Sequence, residues 1–239
     1  MHSFDSQFNG REIKRAAICI DGVFDHLANN IIYQLDTGAP VTHIFQGTFP
    51  DMKIGGSHKI WENVHLFVRP MPGIGAPYNP DQMNVVGIMG LDFLKYHTGS
   101  FGFDFKRLEV IFECESDNWV DYSIINGHIY LKNIIVNGEN IDSVMYDSGC
   151  SAFTISLHCE NVPAQYDEKL ELPGSFGKMN DVYLLRSNNV MNIAGQNITF
   201  NELGFSQNVY DGMNVAMMGN MILDERIIFF RKDGKYTIK

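Results

Sequence analysis

An all-β fold is predicted by three features of this 239-residue chain. Short runs rich in Ile, Val, Phe and Tyr recur along it, separated by turn dipeptides, which is the period and punctuation of strands. Asn126-Gly127, Asn137-Gly138 and Asp233-Gly234 each sit between apolar runs, where a two-residue hairpin turn needs positive φ and these residues supply it. Helical stretches are few and short: Leu91 to Tyr96 after Gly90, and Met221 to Glu225 after Gly219. Hydrophobic residues make up 45% and charged residues 19%, a composition for a packed core rather than a disordered tail or coiled coil.

Taken in order, the elements repeat. Ile31-Ile32-Tyr33-Gln34-Leu35 is an extended apolar run ending in Asp36-Thr37-Gly38-Ala39-Pro40, and a second strand follows from Val41 to Phe45. Val86-Gly87-Ile88-Met89 then reaches Gly90 and a short helix. Phe101, Phe103 and Phe105, then Leu108, Val110 and Phe112, alternate with small or polar residues about Lys106-Arg107, which predicts a strand pair with one buried face. Glu113, Glu115, Ser116, Asp117, Asn118 and Asp121 form the clearest polar linker. Beyond it, Ile141 to Tyr146 ends in Asp147-Ser148-Gly149-Cys150 and is followed by the run Ala152 to Leu157. Val215-Ala216-Met217-Met218 reaches Gly219, a short helix and an aromatic hairpin. The chain thus reads as a duplicated lobe, residues 1–117 carrying Asp36-Thr37-Gly38 and residues 118–239 carrying Asp147-Ser148-Gly149.

Composition excludes several function classes. Acidic side chains (28) exceed Lys and Arg (18), for a formal charge of −10. No basic cluster offers a surface for phosphates, so nucleic acid and anionic membrane are not expected partners. No apolar run reaches the roughly 18 residues of a spanning helix. The first twenty residues lack an apolar leader, which points to a cytoplasmic setting, although a chain trimmed of its signal would read the same. Cys19, Cys114, Cys150 and Cys159 contain no CxxC pair and are expected as buried free thiols. The eight histidines show no ligand spacing, and no metal or other cofactor is expected.

The chemistry lies in the repeated triplet. One Asp-Thr-Gly or Asp-Ser-Gly is an ordinary turn, but here the triplet ends an apolar strand twice, each time with a hydrophobic-hydrophobic-Gly segment a lobe's length downstream. In these features, and over nearly the whole chain from about Asp21, the sequence resembles the pepsin and retropepsin superfamily of aspartic proteases. The resemblance implies a bilobed pepsin-like fold of two pseudo-twofold-related β-barrel lobes, a monomer whose lobes also contribute strands to a shared base sheet. It implies that Asp36 and Asp147 form a catalytic dyad hydrolysing a peptide or protein substrate. Two carboxylates at hydrogen-bonding distance retain a single proton between them. One partner can then take a proton from water while the other polarises the scissile carbonyl.

Gly38 and Gly149 are expected to let the backbone approach the carboxylates. Thr37 and Ser148 keep a hydroxyl in both lobes, which in the family cross-bonds the two loops. Gly90 and Gly219 are expected to pack behind the aspartates. Ala39 and Cys150 depart from the Ser or Thr that many pepsin-like enzymes carry after the glycine. Losing that donor should raise the dyad's apparent pKa values and move activity toward mildly acidic or neutral pH. Cys150 also admits a nucleophilic cysteine with His158 or His43 as base, though no Cys/His signature surrounds it.

The lobes differ in length in one place. The span from Asp147 to Gly195 is more than twice that from Asp36 to Gly56, and the excess contains Leu172 to Lys178 flanked by Glu171 and by Val182 to Leu185. That predicts a single lid hairpin in the second lobe, its tip at Gly174, Ser175, Phe176 and Gly177, closing on substrate bound along Ala39 and Cys150. The first lobe has a compensating Pro-rich loop carrying Pro70, Pro72, Pro77 and Pro80. Two other readings stay open: a catalytically silent peptide-binding or scaffold module built on the same cleft, and a glycosidase using the two carboxylates at a wider separation.

Overall fold

The computed structural model describes residues 2–3, 6–8, 11–13, 18–21, 31–45, 57–61, 64–69, 84–107, 109–150, 152–173, 179–207, 215–223 and 225–239. The first half forms β1 (His2–Ser3), β2 (Ser6–Phe8), β3 (Arg11–Ile13), β4 (Ile18–Asp21), β5 (Ile31–Leu35) and β6 (His43–Phe45). It continues with β7 (Ser57–Trp61), β8 (Val64–Arg69), β9 (Asn84–Met89), helix α1 (Leu91–Thr98), β10 (Phe101–Asp104) and β11 (Glu109–Ile111). The second half forms β12 (Val120–Ile125), β13 (His128–Leu131), β14 (Ile134–Val136), β15 (Glu139–Ile141), β16 (Val144–Tyr146) and β17 (Ile155–His158). There follow β18 (Glu168–Pro173), β19 (Met179–Ile193), β20 (Gln196–Ser206), β21 (Ala216–Met218), β22 (Ile227–Arg231) and β23 (Lys235–Ile238). The all-β class holds. The first short helix is α1, which stops at Gly99 in the left-handed region; the second is only a 3-10 turn, Met221–Leu223.

The same four-strand arrangement occurs twice. In the first half β5 pairs parallel with β9, β9 antiparallel with β6, and β6 parallel with β8. In the second half β16 pairs parallel with β21, β21 antiparallel with β17, and β17 parallel with β20. The strands belong to a 7-stranded sheet in order β1-β4-β5-β9-β6-β8-β7 and a 14-stranded sheet running from β11 to β15. The long sheet joins the halves: β10 pairs with β22, setting Phe101 against Phe230 and Phe103 against Ile228.

Closed barrels, expected of each lobe, do not form among the described residues. The end strands of the long sheet, β11 and β15, are three residues each and contain no buried residue, the usual form of an edge that ends a sheet rather than joins another strand. The aromatic strand pair also differs from expectation. All four residues of β10 are buried because it is flanked on one edge by β11 and on the other by β22, while Phe112 beyond β11 is 54% exposed.

The turns follow their φ angles. Asn126 and Asn137, at φ 52° and 51°, each precede a positive-φ glycine and close two-residue hairpins, as expected. Asp233-Gly234 instead belongs to a three-residue loop, since Arg231 pairs with Lys235 and only Gly234 has positive φ. Asp233 there receives both Nε and Nη2 of Arg231, at 2.7 and 2.5 Å. A further two-residue turn, Ala194-Gly195, joins β19 to β20 with φ 50° and 78°. The principal core spans both halves, from Leu35, Met89 and Phe101 to Tyr146, Met218 and Phe230. Phe230 sits at its centre, with the rings of Phe101, Tyr122 and Tyr146 at centroid distances of 5.3, 5.3 and 5.5 Å. Among the described residues no helix is long and apolar enough to cross a membrane.

Candidate functional site

The two triplets meet at the junction of the halves, each held at the end of its strand by the same backbone bonds. The Asp36 N–H donates to Met89 O at 3.1 Å and that of Asp147 to Met218 O at 3.0 Å. The Ala39 N–H reaches Asp36 O and the Cys150 N–H reaches Asp147 O, both at 3.2 Å. Leu91 N–H donates to Ala39 O and Asn220 N–H to Cys150 O, both at 2.8 Å. These last bonds pass through the glycines of the second repeated segment. A Cβ on Gly90 would lie 2.7 Å from Ala39 O, and one on Gly219 2.6 Å from Cys150 O. Both glycines therefore lie behind the aspartate loops.

Thr37 and Ser148 make four hydrogen bonds that cross between the halves. Thr37 N–H donates to Ser148 Oγ at 2.9 Å and Ser148 N–H to Thr37 Oγ1 at 3.0 Å. The hydroxyls then donate onward, Thr37 to Tyr146 O and Ser148 to Leu35 O, both at 3.0 Å. Each hydroxyl thus serves as donor and acceptor, and both are fully buried. A lone turn cap would need only one such bond; the reciprocal set fixes one loop against the other.

Asp36 and Asp147 face each other inside this frame, 5% and 2% exposed, joined by a side-chain hydrogen bond. A Cβ added to Gly38 would fall 2.5 Å from Asp147 Cγ, and one added to Gly149 2.6 Å from Asp36 Cγ. Only glycine leaves room for the opposite carboxylate. Ala39 N–H donates to Asp36 Oδ1 at 3.1 Å and Gly149 N–H to Asp147 Oδ1 at 2.7 Å.

Burial holds the Asp36 carboxyl well above the ordinary carboxylate range, helped by the negative charge of Asp147 and the hydrogen bond between them. Asp147 is also raised by burial, but the bond from Asp36, the N–H groups of Gly149 and Cys150 and the charge of His128 oppose the rise. Both carboxyls are therefore raised, chiefly by burial, and the two titrate as one unit. The sequence attributed a raised dyad to the missing hydroxyl after each glycine; desolvation is the larger cause.

Ala39 is buried beside its aspartate. Cys150 is half-buried and packs on a second apolar cluster that includes Tyr130, Met145, Phe153 and Met217. Burial and the charges of Asp147 and Asp36 push its thiol up, which opposes the thiolate that a cysteine nucleophile requires. Cys114, Cys150 and Cys159 are free and only half-buried rather than fully so. The strands on either side of the expected lid tip, β18 and β19, pair from Glu168 opposite Leu184 to Pro173 opposite Met179. The tip residues Gly174, Ser175, Phe176 and Gly177 lie outside the described residues, as do the prolines at 70, 72, 77 and 80.

Several contributors were missed in the sequence. Gln34, two residues before Asp36, donates its amide to Gly149 O in the other loop at 3.2 Å. Asp92 accepts from Thr42 N–H and Oγ1 at 2.8 and 2.7 Å, and Thr42 Oγ1 accepts from Gly90 N–H at 3.1 Å. In the second half Asn220 takes this bracing role, donating to Ser148 O and accepting from Tyr146 OH at 2.9 Å. The signal for Gln34 was a polar residue in an otherwise apolar strand. Asn220 had none beyond its place after Gly219. Among the described residues no group of three or more His, Cys, Asp or Glu side chains gathers as a metal site.

No family model matches the chain, and no curated protein matches it. Among solved structures it is similar to conglutin gamma, a basic 7S globulin from lupine seeds, at 11% identity over 87% of each chain with a TM-score of 0.49.

Proposed function

We propose that the chain is an aspartic endopeptidase of the pepsin and retropepsin superfamily, a monomer acting on extended peptides under the β18–β19 hairpin. The observation that carries this reading is the hydrogen-bonded pair of buried carboxylates, one from each repeat. The ionised member of the Asp36/Asp147 pair takes a proton from a water molecule as the water oxygen attacks the scissile carbonyl carbon. The protonated member gives its proton to the carbonyl oxygen; as the tetrahedral adduct collapses, the proton taken from water passes to the leaving amide nitrogen and the carbonyl proton returns to the acid that gave it. Glycosidase chemistry fits less well, because it separates two carboxyl groups by about 5 Å or more to admit a sugar. The second apolar cluster lies beside Cys150 and under the hairpin strands, a position suited to an apolar substrate side chain.

The test is incubation with a denatured protein mixture across pH 3 to 8, reading cleavage sites by mass spectrometry. Cleavage that a statine-type peptide blocks and Asp36→Asn abolishes is the expected result. Peptide binding without cleavage at any pH would identify a silent binding module, and full turnover by Asp36→Asn would remove the dyad from the reaction.

A further inference from the structure

We propose that Ser156 and Asn180 set substrate choice, forming beneath the β18–β19 hairpin a subsite for a peptide side chain that ends in an amide, glutamine or asparagine. The inference rests on the protease reading proposed above and adds to it the side chain that the cleft selects. The strand register places the subsite. Met217 pairs with Met145 on one edge of β21 and with Ser156 on the other. The three therefore share one face of the sheet, and Ser156 stands about 10 Å from Met145, two strand spacings away. Met145, Met217 and Phe153 belong to the second apolar cluster, on which Cys150 of the Asp147 loop packs.

Beside that row Phe153, Leu172, Val182 and Met217 wall a narrow hollow, whose polar lining is Ser156, Asn180 and Ser206. Leu172 and Asn180 are paired across the hairpin, while Ser156 belongs to the sheet. Ser206 is already committed, its hydroxyl donating to Asp181 O at 2.9 Å. The other two are not. Ser156 is fully buried, and neither its Oγ nor Asn180 Nδ2 has a hydrogen-bond partner in the chain. Folded proteins leave few buried polar groups in that state. Gly204 keeps the space clear, since a Cβ there would lie 3.1 Å from both Ser156 Cβ and Val182 Cγ1. Met217 is unbranched and flexible, and it is the wall that can yield to an entering side chain.

The two stranded groups discriminate among side chains. Asn180 Nδ2 donates, and the Ser156 hydroxyl donates or accepts. An amide satisfies both at once, its oxygen toward Asn180 and its NH2 toward Ser156. Leucine or phenylalanine would match the apolar walls but leave both groups without a partner in a dry site. Glutamate would bring a charge into a hollow where none of the described lining residues is Lys or Arg. The apolar cluster thus takes the stem of the side chain and the hollow its amide end. A site built to hydrogen-bond a substrate group rejects the analogue lacking it more strongly than an apolar pocket sorts by size.

The experiment takes a peptide that the protein cleaves and places Gln, Asn, Leu or Glu at one position at a time along it. The ratios of kcat/KM are read for wild type, Ser156→Ala and Asn180→Leu. Wild type is expected to prefer Gln or Asn over both Leu and Glu at one position by about tenfold or more. In each variant the preference over Leu at that position is expected to be lost. Wild type that cleaves the Leu peptide as well as the amide peptides at every position overturns the proposal, as does an amide preference undiminished in either variant. If no peptide is cleaved at any pH the protease reading fails, and the same ratios, read as affinities by fluorescence anisotropy, decide the subsite. Equal binding of Gln and Leu peptides, or no binding, then overturns it. If the variants do not fold, the wild-type ratios decide it.

Discussion

Thr37 and Ser148 tie the two aspartate loops together through both their N–H groups and their hydroxyls. Thr37→Val keeps the shape but leaves Ser148 N–H and Tyr146 O without their partner in a dry site, at about 1–3 kcal/mol for each stranded group. Thr37→Ser keeps the oxygen and should lose little. Urea midpoints for the two variants test this, and equal midpoints would mean that the crossed bonds contribute nothing net. Asp36 acts in the opposite sense. Its folded pKa lies above the ordinary carboxyl value of about 3.9, so the folded chain keeps a proton that the unfolded chain releases. Its stabilising contribution is full below that value and is lost as pH rises through the window up to the raised folded value. Asp36→Asn should therefore match wild type near pH 3 and unfold at higher urea than wild type at pH 8. A variant less stable than wild type at pH 8 would contradict the burial argument.

Hairpins and braces show where sequence reasoning reaches and where it stops. The two triplets, Gly90 and Gly219, and the Asn-Gly turns were legible because each needs a particular residue: a carboxyl pair, a missing Cβ, or positive φ. Ala194-Gly195 was not, since alanine at φ 50° contradicts its usual preference and is held there by the long β19·β20 pairing. Asn220 and the Thr42–Asp92 pair were illegible for another reason: their value depends on which backbone groups the fold brings within reach. The β18–β19 strand pair was read from a length difference, and its anchoring is now specific. Leu170 is fully buried with Val182 and Leu184 in the second cluster. Leu170→Ala should cost about 2–5 kcal/mol and loosen the hairpin, raising KM for peptide more than it lowers kcat. An unchanged KM in a destabilised variant would separate the hairpin from substrate binding.

At the scale of the whole molecule, the repeat is less separable than the sequence pattern implies. Glu113, Glu115, Asp117, Asn118 and Asp121 of the polar stretch between the repeats are exposed, yet β10 of the first half pairs with β22 of the second, and one core runs through both. Residues 118–239 expressed alone would present β22, with Ile228 and Phe230, as an open hydrophobic edge. That fragment is expected to self-associate in size-exclusion chromatography, whereas a monodisperse, cooperatively melting fragment would show that the second half folds independently.

The β10·β22 pairing also sets a timetable for synthesis. Ser100 bonds to Lys232 across 132 positions of chain, so the aromatic strand of the first half leaves the ribosome long before its neighbour exists. A nascent chain must shelter Phe101 and Phe103 through most of translation. Asp147, too, is translated well after Asp36, and the segment behind it, Met218 and Gly219, comes later still. A growing polypeptide therefore holds one acid without its mate, and the pair is complete only after nearly all of these residues have been made.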